Sequence, residues 1–446
     1  MEETILSIIN ENPIQVTRLH ALFADMNTVD IAGLFQDMSR EKVIRIFRLL
    51  PKNIAADVFS YIEPEEQQII VEALTDSEVG DIMNHLFIDD AVDAIEEMPA
   101  DVVNRMLQNV SAERRKLINQ ILQYPDDSAG SIMTTEYVEL REDASVGEAF
   151  EHIRTTGINK ETIYTSYVIR RDRFLVGVVS AKDLMLADPQ DKIRDIMDTN
   201  PVFAYTTDDQ EAAAGLFRKY GLLAMPVVDR DQHLVGIITV DDVVQVIEEE
   251  NTEDFEKMAA LTPSDEPYLK TSVFKLTRNR IVWLLLLMLS ATVTGGVIAS
   301  FEGALAMLPA LVVFIPMLMD TGGNAGSQTS TLIIRGMALE EIRFRDLLRV
   351  LGRELCIGLL CGLGLGLINF VRVYFMYGKN PFMSLTVTLS LLITVVIAKS
   401  IGCVLPMIAK KLKVDPAIMA APLITTIVDG ASLMVYFSIA KMIFKL

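Results

Sequence analysis

Cysteine is scarce in this sequence: Cys356, Cys361 and Cys403 are the only three, and all lie inside apolar stretches. A thiol in such surroundings behaves as a small hydrophobe, so neither a disulfide framework nor a zinc site is expected. Histidine is equally thin, and His20, His85, His152 and His233 are scattered with no spacing of nucleophile and base, which argues against an enzyme. The first 270 residues are poor in positive charge, with 24 Lys and Arg against 52 Asp and Glu. That balance excludes the basic footprint of a nucleic-acid binder. The start, Met1-Glu2-Glu3-Thr4-Ile5-Leu6, is acidic and its apolar run is short, so no secretory signal is expected.

What is present divides the chain in two. The net −28 of the first 270 residues faces a net +8 in the remainder, making the overall −20 of a 446-residue chain that is 51% hydrophobic. The acidic half repels itself and calls for a cationic companion; the other half is too apolar to be soluble.

Two internal repeats organise the acidic half. Leu34-Phe35-Gln36-Asp37-Met38, Val58-Phe59-Ser60-Tyr61-Ile62, Ile82-Met83-Asn84-His85-Leu86 and Met106-Leu107-Gln108-Asn109-Val110 begin at steps of 24 residues, the mark of a small helical solenoid. Polar turns such as Ser39-Arg40-Glu41 and Ser111-Ala112-Glu113 suit its helix N-termini. Further on, Leu175-Val176-Gly177-Val178-Val179-Ser180-Ala181-Lys182-Asp183-Leu184 returns as Leu234-Val235-Gly236-Ile237-Ile238-Thr239-Val240-Asp241-Asp242-Val243, and Ile132-Met133 as Ile196-Met197. Each copy reads as strand, tight Gly turn, strand, then a helix capped by Ser180 or Thr239. This second repeat resembles a tandem pair of CBS domains, small α/β modules that often bind adenine nucleotides, so ATP is a possible ligand of the pair. From Val244 to about Lys270 an acidic helical pattern reads as a linking helix.

After Arg280 five apolar stretches, at about 281–300, 304–334, 353–376, 383–409 and 417–440, each approach or exceed the roughly 20 residues needed to cross a bilayer. The basic loops carrying Arg335, Arg343, Arg345, Arg349 and Arg353, and Lys410, Lys411 and Lys413, place those loops and the N-terminal half on the cytoplasmic side, against a weaker contribution from Arg372, Lys379, Lys441 and Lys445 outside.

The second and fifth stretches carry the chemistry. Asp320 to Thr331 holds three glycines and eight polar or charged residues; such a segment, expected to include unwound backbone, must line water or pack against other helices. In the fifth stretch, Pro422-Leu423-Ile424-Thr425-Thr426-Ile427-Val428-Asp429 puts an acid near the bilayer midplane. An ionised carboxylate there costs at least a few kcal/mol unless a cation or water compensates it. Lys399 is the nearest candidate counterion by depth, whereas a partly hydrated Mg2+ with oxygen ligands would fit.

The order of helical repeats, CBS pair, linking helix and spans, with Gly323-Asn324-Ala325-Gly326-Ser327-Gln328 and the Pro422–Asp429 segment, resembles the MgtE family of magnesium channels over the whole chain. The resemblance implies a multidomain architecture: an all-α helical-repeat domain at 1–128, an α/β tandem CBS pair at 129–194 and 195–247, a linking (plug) helix at 248–272, and an all-α membrane domain with five transmembrane helices at 273–446. It implies a homodimer in the lipid of a bacterial plasma membrane, taking up Mg2+ through a pore lined by Asp429, Asn324, Ser327, Gln328 and Thr331, with Asp415 near the cytoplasmic mouth. Regulatory Mg2+ is implied at Asp89, Asp90 and Asp93, at Asp209, Glu211 and Asp242, and at Glu250 and Asp254. Ser327, Gly430, Gln245 and Asp320 depart from residues found in relatives. A transporter of Co2+, Mn2+ or Ni2+ with the same plan, an ion-coupled secondary transporter, and a nucleotide-sensing membrane receptor without transport are the competing readings.

Overall fold

The computed structural model describes residues 16–445 except 37, 265–267, 270, 379 and 420. The readings made on Met1–Leu6, Asp37, Lys270 and Lys379 lie outside the described residues. The chain divides into two compact units, 1–247 and 248–446.

Among the described residues of the first unit, nine short helices run from α1 (Val16–Ala24) to α9 (Ala112–Ile121). Leu34, Val58, Ile82 and Met106, the equivalent positions of the 24-residue repeat, are all buried in one continuous core. Helices this short leave many end groups unbonded, and the fold satisfies several of them. Thr75 and Glu78 form a capping box at the start of α6 (Asp76–His85), and Ser111 caps α9. Arg105 donates to the carbonyls of Val71 and Leu74 at the end of α5 (Pro64–Ala73), and Arg114 does the same for Met83 and Leu86 at the end of α6.

The second repeat folds into two three-stranded sheets of identical topology. β1 (Val138–Arg141) runs parallel to β2 (Thr165–Ile169), which pairs antiparallel with β3 (Leu175–Ser180); β4 (Ala204–Tyr205), β5 (Ala224–Val228) and β6 (Leu234–Thr239) repeat the pattern. Helix α10 (Val146–Thr156) follows β1, and α13 (Gln210–Tyr220) follows β4; between the modules lie α11 (Ala181–Leu186) and α12 (Ile193–Ile196). The expected Gly turns are absent, because Gly177 and Gly236 sit inside β3 and β6. A Cβ at Gly177 would strike the Asp198 carbonyl and the Met197 side chain, and one at Gly236 would strike Thr134 and Met133. The repeated methionine of each copy therefore packs on the glycine of the other, and paired bonds Thr134–Ile237 and Val178–Asp198 tie the copies together.

Helix α14 (Val240–Met258) carries the chain from the first unit into the second. It stops well short of the expected Lys270. Pro263 lacks an amide and forces Thr262 away from helical geometry, and Ser264 then donates its backbone N–H to Glu256.

The second unit holds α15 (Val273–Ser300), α16 (Glu302–Met307), α17 (Ile315–Ala338), α18 (Leu347–Met376), α19 (Pro381–Lys411) and α20 (Ala421–Phe444). Among the described residues, four segments are long and apolar enough to cross a membrane: Val273–Ser300, Phe344–Met376, Pro381–Lys411 and Pro416–Phe444. The count of five apolar spans is thus corrected to four. The expected second span is not one helix: α16 gives way at Leu308 to a 3-10 segment, Pro309–Phe314, before α17 begins. The expectation of unwound backbone in the glycine-rich segment is also overturned, since Asp320 to Thr331 is continuous α-helix within α17 and the irregularity falls earlier. There the Tyr436 hydroxyl donates to the buried Leu311 carbonyl and satisfies one of the backbone groups in the irregular stretch.

Candidate cation sites

Helix α17 has 24 residues, about 36 Å of axis, so its length suffices to span even though its composition is polar. Its two sides differ. Gly322, Gly323 and Gly326 are buried, and a Cβ on them would strike Thr394, Thr425 and Ile424. Gly326 lies in backbone contact with Gly402 of α19. Glycine here serves close helix approach. Asp320, Asn324, Gln328, Thr331 and Arg335 are exposed and follow one another at steps of four, four, three and four, which lays them along a single stripe. Ser327 flanks the stripe half-buried. Among the described residues, no hydrogen bond or ion pair engages the side chains of Asp320, Asn324, Ser327, Gln328 or Thr331. Unbonded polar groups of this kind are costly against lipid.

On α20, Asp429 is half-buried, and Asp320 is the carboxylate that acts on it. The side chains that Gly322 and Gly326 pack against include Val428, the residue before Asp429, so the acid sits beside the glycine turn of α17. Asp429 has no hydrogen bond or ion pair among the described residues. Lys399 is not its counterion: the ammonium donates to Thr329 Oγ1 at 3.2 Å and lies 4.0 Å from Glu354.

Asp415 belongs to a second group at the end of α14. Its carboxylate is 2.7 Å from Lys257 Nζ, which also contacts Glu253 at 2.5 Å, and it accepts the Ala417 N–H to start the 3-10 turn Pro416–Met419. Burial opposes the Lys257 charge, but the bonds to Asp415 and Glu253 outweigh it and hold the ammonium well above its usual range. Burial and the Asp415 charge push Asp254 up to about 6, with Glu250 adding to the repulsion.

The third group lies in the first unit. Asp89 and Asp90 occupy the first turn of α7 (Ile88–Glu96), and Asp89 is only 8% exposed. Burial, then the Asp242 carboxylate, raise Asp89 well above the usual range and Asp90 to about 7. Burial also raises Asp242, whose carboxylate accepts the Thr239 hydroxyl at 2.7 Å. Glu161, which sequence reasoning missed, joins them: burial and Asp242 push it up to about 8, and its Oε2 is buried without a bond. It lies in irregular chain after α10, placed by a backbone bond to Glu136, so no periodicity marks it. The charges acting most strongly on these four are other carboxylates. Several carboxylates sharing desolvated space are the donor set a hard divalent cation takes.

Asp93 lies exposed on α7. Asp209 and Glu211 stand apart at the exposed start of α13, where Asp209 caps the helix by accepting the N–H groups of Glu211 and Ala212; neither acts prominently on the four clustered acids. The CBS pair also has a cleft of about 380 Å³ lined by Glu142, Arg170, Phe174, Thr199, Asn200 and Gln232.

Together these features define a multi-pass membrane protein whose helical repeats and CBS pair form an acidic unit. Residues 315–439 match the family described as "Divalent cation transporter", residues 26–127 the MgtE intracellular N domain, and 129–189 and 193–249 the CBS domain. The magnesium transporter MgtE of Thermus thermophilus is 35% identical over 96% of this chain and 95% of its own length; that of Bacillus subtilis is 32% identical over 96% and 94%. A crystal structure of the cytosolic domain of the Mg2+ channel MgtE in complex with ATP covers 55% of this chain at 32% identity, with a TM-score of 0.52 and all of that domain matched. The soluble part of a magnesium transporter matches similarly, at 30% identity and a TM-score of 0.53, covering 56% of this chain and 97% of its own. The chain belongs to the MgtE magnesium transporter family.

Proposed function

We propose that this chain is a magnesium channel that mediates Mg2+ uptake across a bacterial plasma membrane and is shut by cytoplasmic Mg2+. The observation that carries the reading is the pairing of Asp429 with the unbonded stripe of α17, while Lys399, the candidate counterion, is engaged elsewhere. Two unpaired carboxylates and a row of amide and hydroxyl groups suit a hydrated divalent ion, which keeps several waters and needs few protein ligands. In this reading α17 is a fifth, polar span. Its stripe is covered by the same stripe of a second copy across a two-fold axis, so the pore residues are Asp429, Asn324, Ser327, Gln328 and Thr331. The domains divide at 128, 194, 247 and 272, with the N-terminal ones cytoplasmic.

Regulation follows from charge. Asp89, Asp90, Asp242 and Glu161 repel one another when ionised, and a divalent cation favours the state that brings them together. Asp93, exposed on α7, and Asp209 and Glu211, set apart at the start of α13, would add further regulatory ligands, and Glu250, Asp254 and Asp415 a second set at the linking helix. The cleft beside Arg170 would hold ATP, as the matched cytosolic domain does.

Flux into proteoliposomes holding the full chain tests this: Mg2+ entry that falls as the metal rises on the cytoplasmic face is expected. Absence of Mg2+ entry would leave the nucleotide-sensing receptor, and entry of Co2+, Mn2+ or Ni2+ in its place would reassign the cargo.

A further inference from the structure

Three buried polar side chains in the second unit take no part in the cation sites. Thr329 of α17 is 1% exposed, and the Glu354 side chain of α18 and the Lys399 side chain of α19 are 12% and 8% exposed. They form one chain: the Lys399 ammonium donates to Thr329 Oγ1 at 3.2 Å, and that hydroxyl donates to Glu354 Oε2 at 3.0 Å. The ammonium and carboxylate lie 4.0 Å apart. The lysine stem runs beside Gly358 of α18, where a Cβ would press on the Val396 backbone at 3.1 Å and only touch the Lys399 Cδ at 3.7 Å.

Thr329 sits about 140° round α17 from the centre of the polar stripe, counting 100° per residue. The contact of α17 with α19 nearby is made by Gly326 against Gly402, backbone on backbone. Such smooth seams give little resistance to rotation or sliding, and apolar packing between membrane helices carries no directional preference. A hydroxyl that must accept from one helix and donate to another has one satisfactory orientation. Buried ion pairs contribute little net stability compared with apolar substitutes, and their best-attested use is to specify register.

We infer that Lys399, Thr329 and Glu354 are positioning residues that fix the rotation of α17 about its axis, and so aim Asn324 and Gln328 at the conduction path. The inference rests on the channel reading of that stripe. None of the three touches the ion; they act through the helix. Tight, size-selective Mg2+ coordination requires that aim, because the ion tolerates little departure from octahedral geometry.

The test compares Mg2+ and Ni2+ flux through proteoliposomes of the full chain with Thr329→Ser, Thr329→Val and the double variant Lys399→Met with Glu354→Met. The double variant removes both charges together, leaving no uncompensated ion. Expected are wild-type behaviour for Thr329→Ser, which keeps both bonds, and for the other two an approximately tenfold rise in the Mg2+ half-saturation concentration. The preference for Mg2+ over Ni2+ should fall with it, at unchanged melting temperature. Half-saturation within twofold of wild type in Thr329→Val and in the double variant would overturn the role. Should the double variant fail to assemble, Thr329→Val decides, since it alters no charge. No flux from the wild type would overturn the channel reading and this role with it, an outcome distinct from a normal wild type with normal variants.

Discussion

The Lys257 ammonium stands 2.7 Å from the Asp415 carboxylate and 2.5 Å from Glu253, so one cation at the end of the linking helix serves two acids, with Asp254 also close by. Removing it leaves repelling carboxylates around the turn that precedes α20. Lys257→Gln is expected to weaken the hold of the linking helix and to raise the inhibitory Mg2+ concentration about three- to tenfold, because added Mg2+ must then replace the ammonium. Flux measured against cytoplasmic Mg2+ reads this directly; an unchanged inhibition curve would remove the pair from the gate.

Asp429→Ala should abolish Mg2+ flux with assembly intact, since no other group among the described residues compensates or replaces that carboxylate. Asp320→Asn should spare flux at saturating Mg2+ but raise half-saturation severalfold, because Asp320 supplies charge beside Asp429 and is not placed by any bond of its own. Equal losses in the two variants would contradict the separate roles given to them, Asp429 as the ion-binding acid and Asp320 as a charge beside it.

The cluster of Asp89, Asp90, Asp242 and Glu161 predicts a proton linkage. Their folded pKa values are raised, to about 7 for Asp90 and about 8 for Glu161, so the compact state holds protons that an opened state releases. The stability they allow is fully present below about pH 4, the usual carboxylate value, and is lost as pH rises through 7 to 8. Hydrogen exchange of the full chain should therefore show protection of α7 without Mg2+ at pH 5.5, and only with Mg2+ at pH 8. Protection that was independent of both would dissolve the cluster as a sensor. Glu161→Gln should lower the Mg2+ needed at pH 8, because it removes one of the carboxylates whose ionisation opposes the compact state.

Gly402→Ala should destabilise the membrane unit, because its Cβ would meet the Gly326 carbonyl, and overpacking of this kind costs about 1–3 kcal/mol. Gly296→Ala, where nothing lies within 4 Å, is the control and should be neutral or slightly stabilising. Thermal unfolding in detergent separates the two; equal melting temperatures would mean the α17–α19 seam has more slack than the contact implies.

Much of the plan was legible in the residues. The 24-residue period places Leu34, Val58, Ile82 and Met106 in one core, since each repeat buries the same face. The CBS repeat was visible through its glycines, although their role was misread: Gly177 and Gly236 make room for a methionine from the other copy, a non-local contact that no turn rule describes. The polar segment of α17 is visible too, but polarity suggests unwinding where the backbone stays helical. Thirteen-atom hydrogen-bond rings close within a helix whatever its side chains, so polar composition moved the outward face and left the backbone helical.

The sequence by itself determined the division into an acidic half and an apolar half, the two repeats, and the presence of acids where lipid would not tolerate them, because charge, periodicity and hydropathy are local or additive properties. Tertiary structure alone decided which charges meet. Lys399 turned to Glu354 and Thr329 and away from Asp429, Lys257 found Asp415 across more than 150 residues, and Glu161 entered the company of Asp89 and Asp242, since electrostatic partnership depends on distance in space and on the water excluded between groups, neither of which is written along the chain.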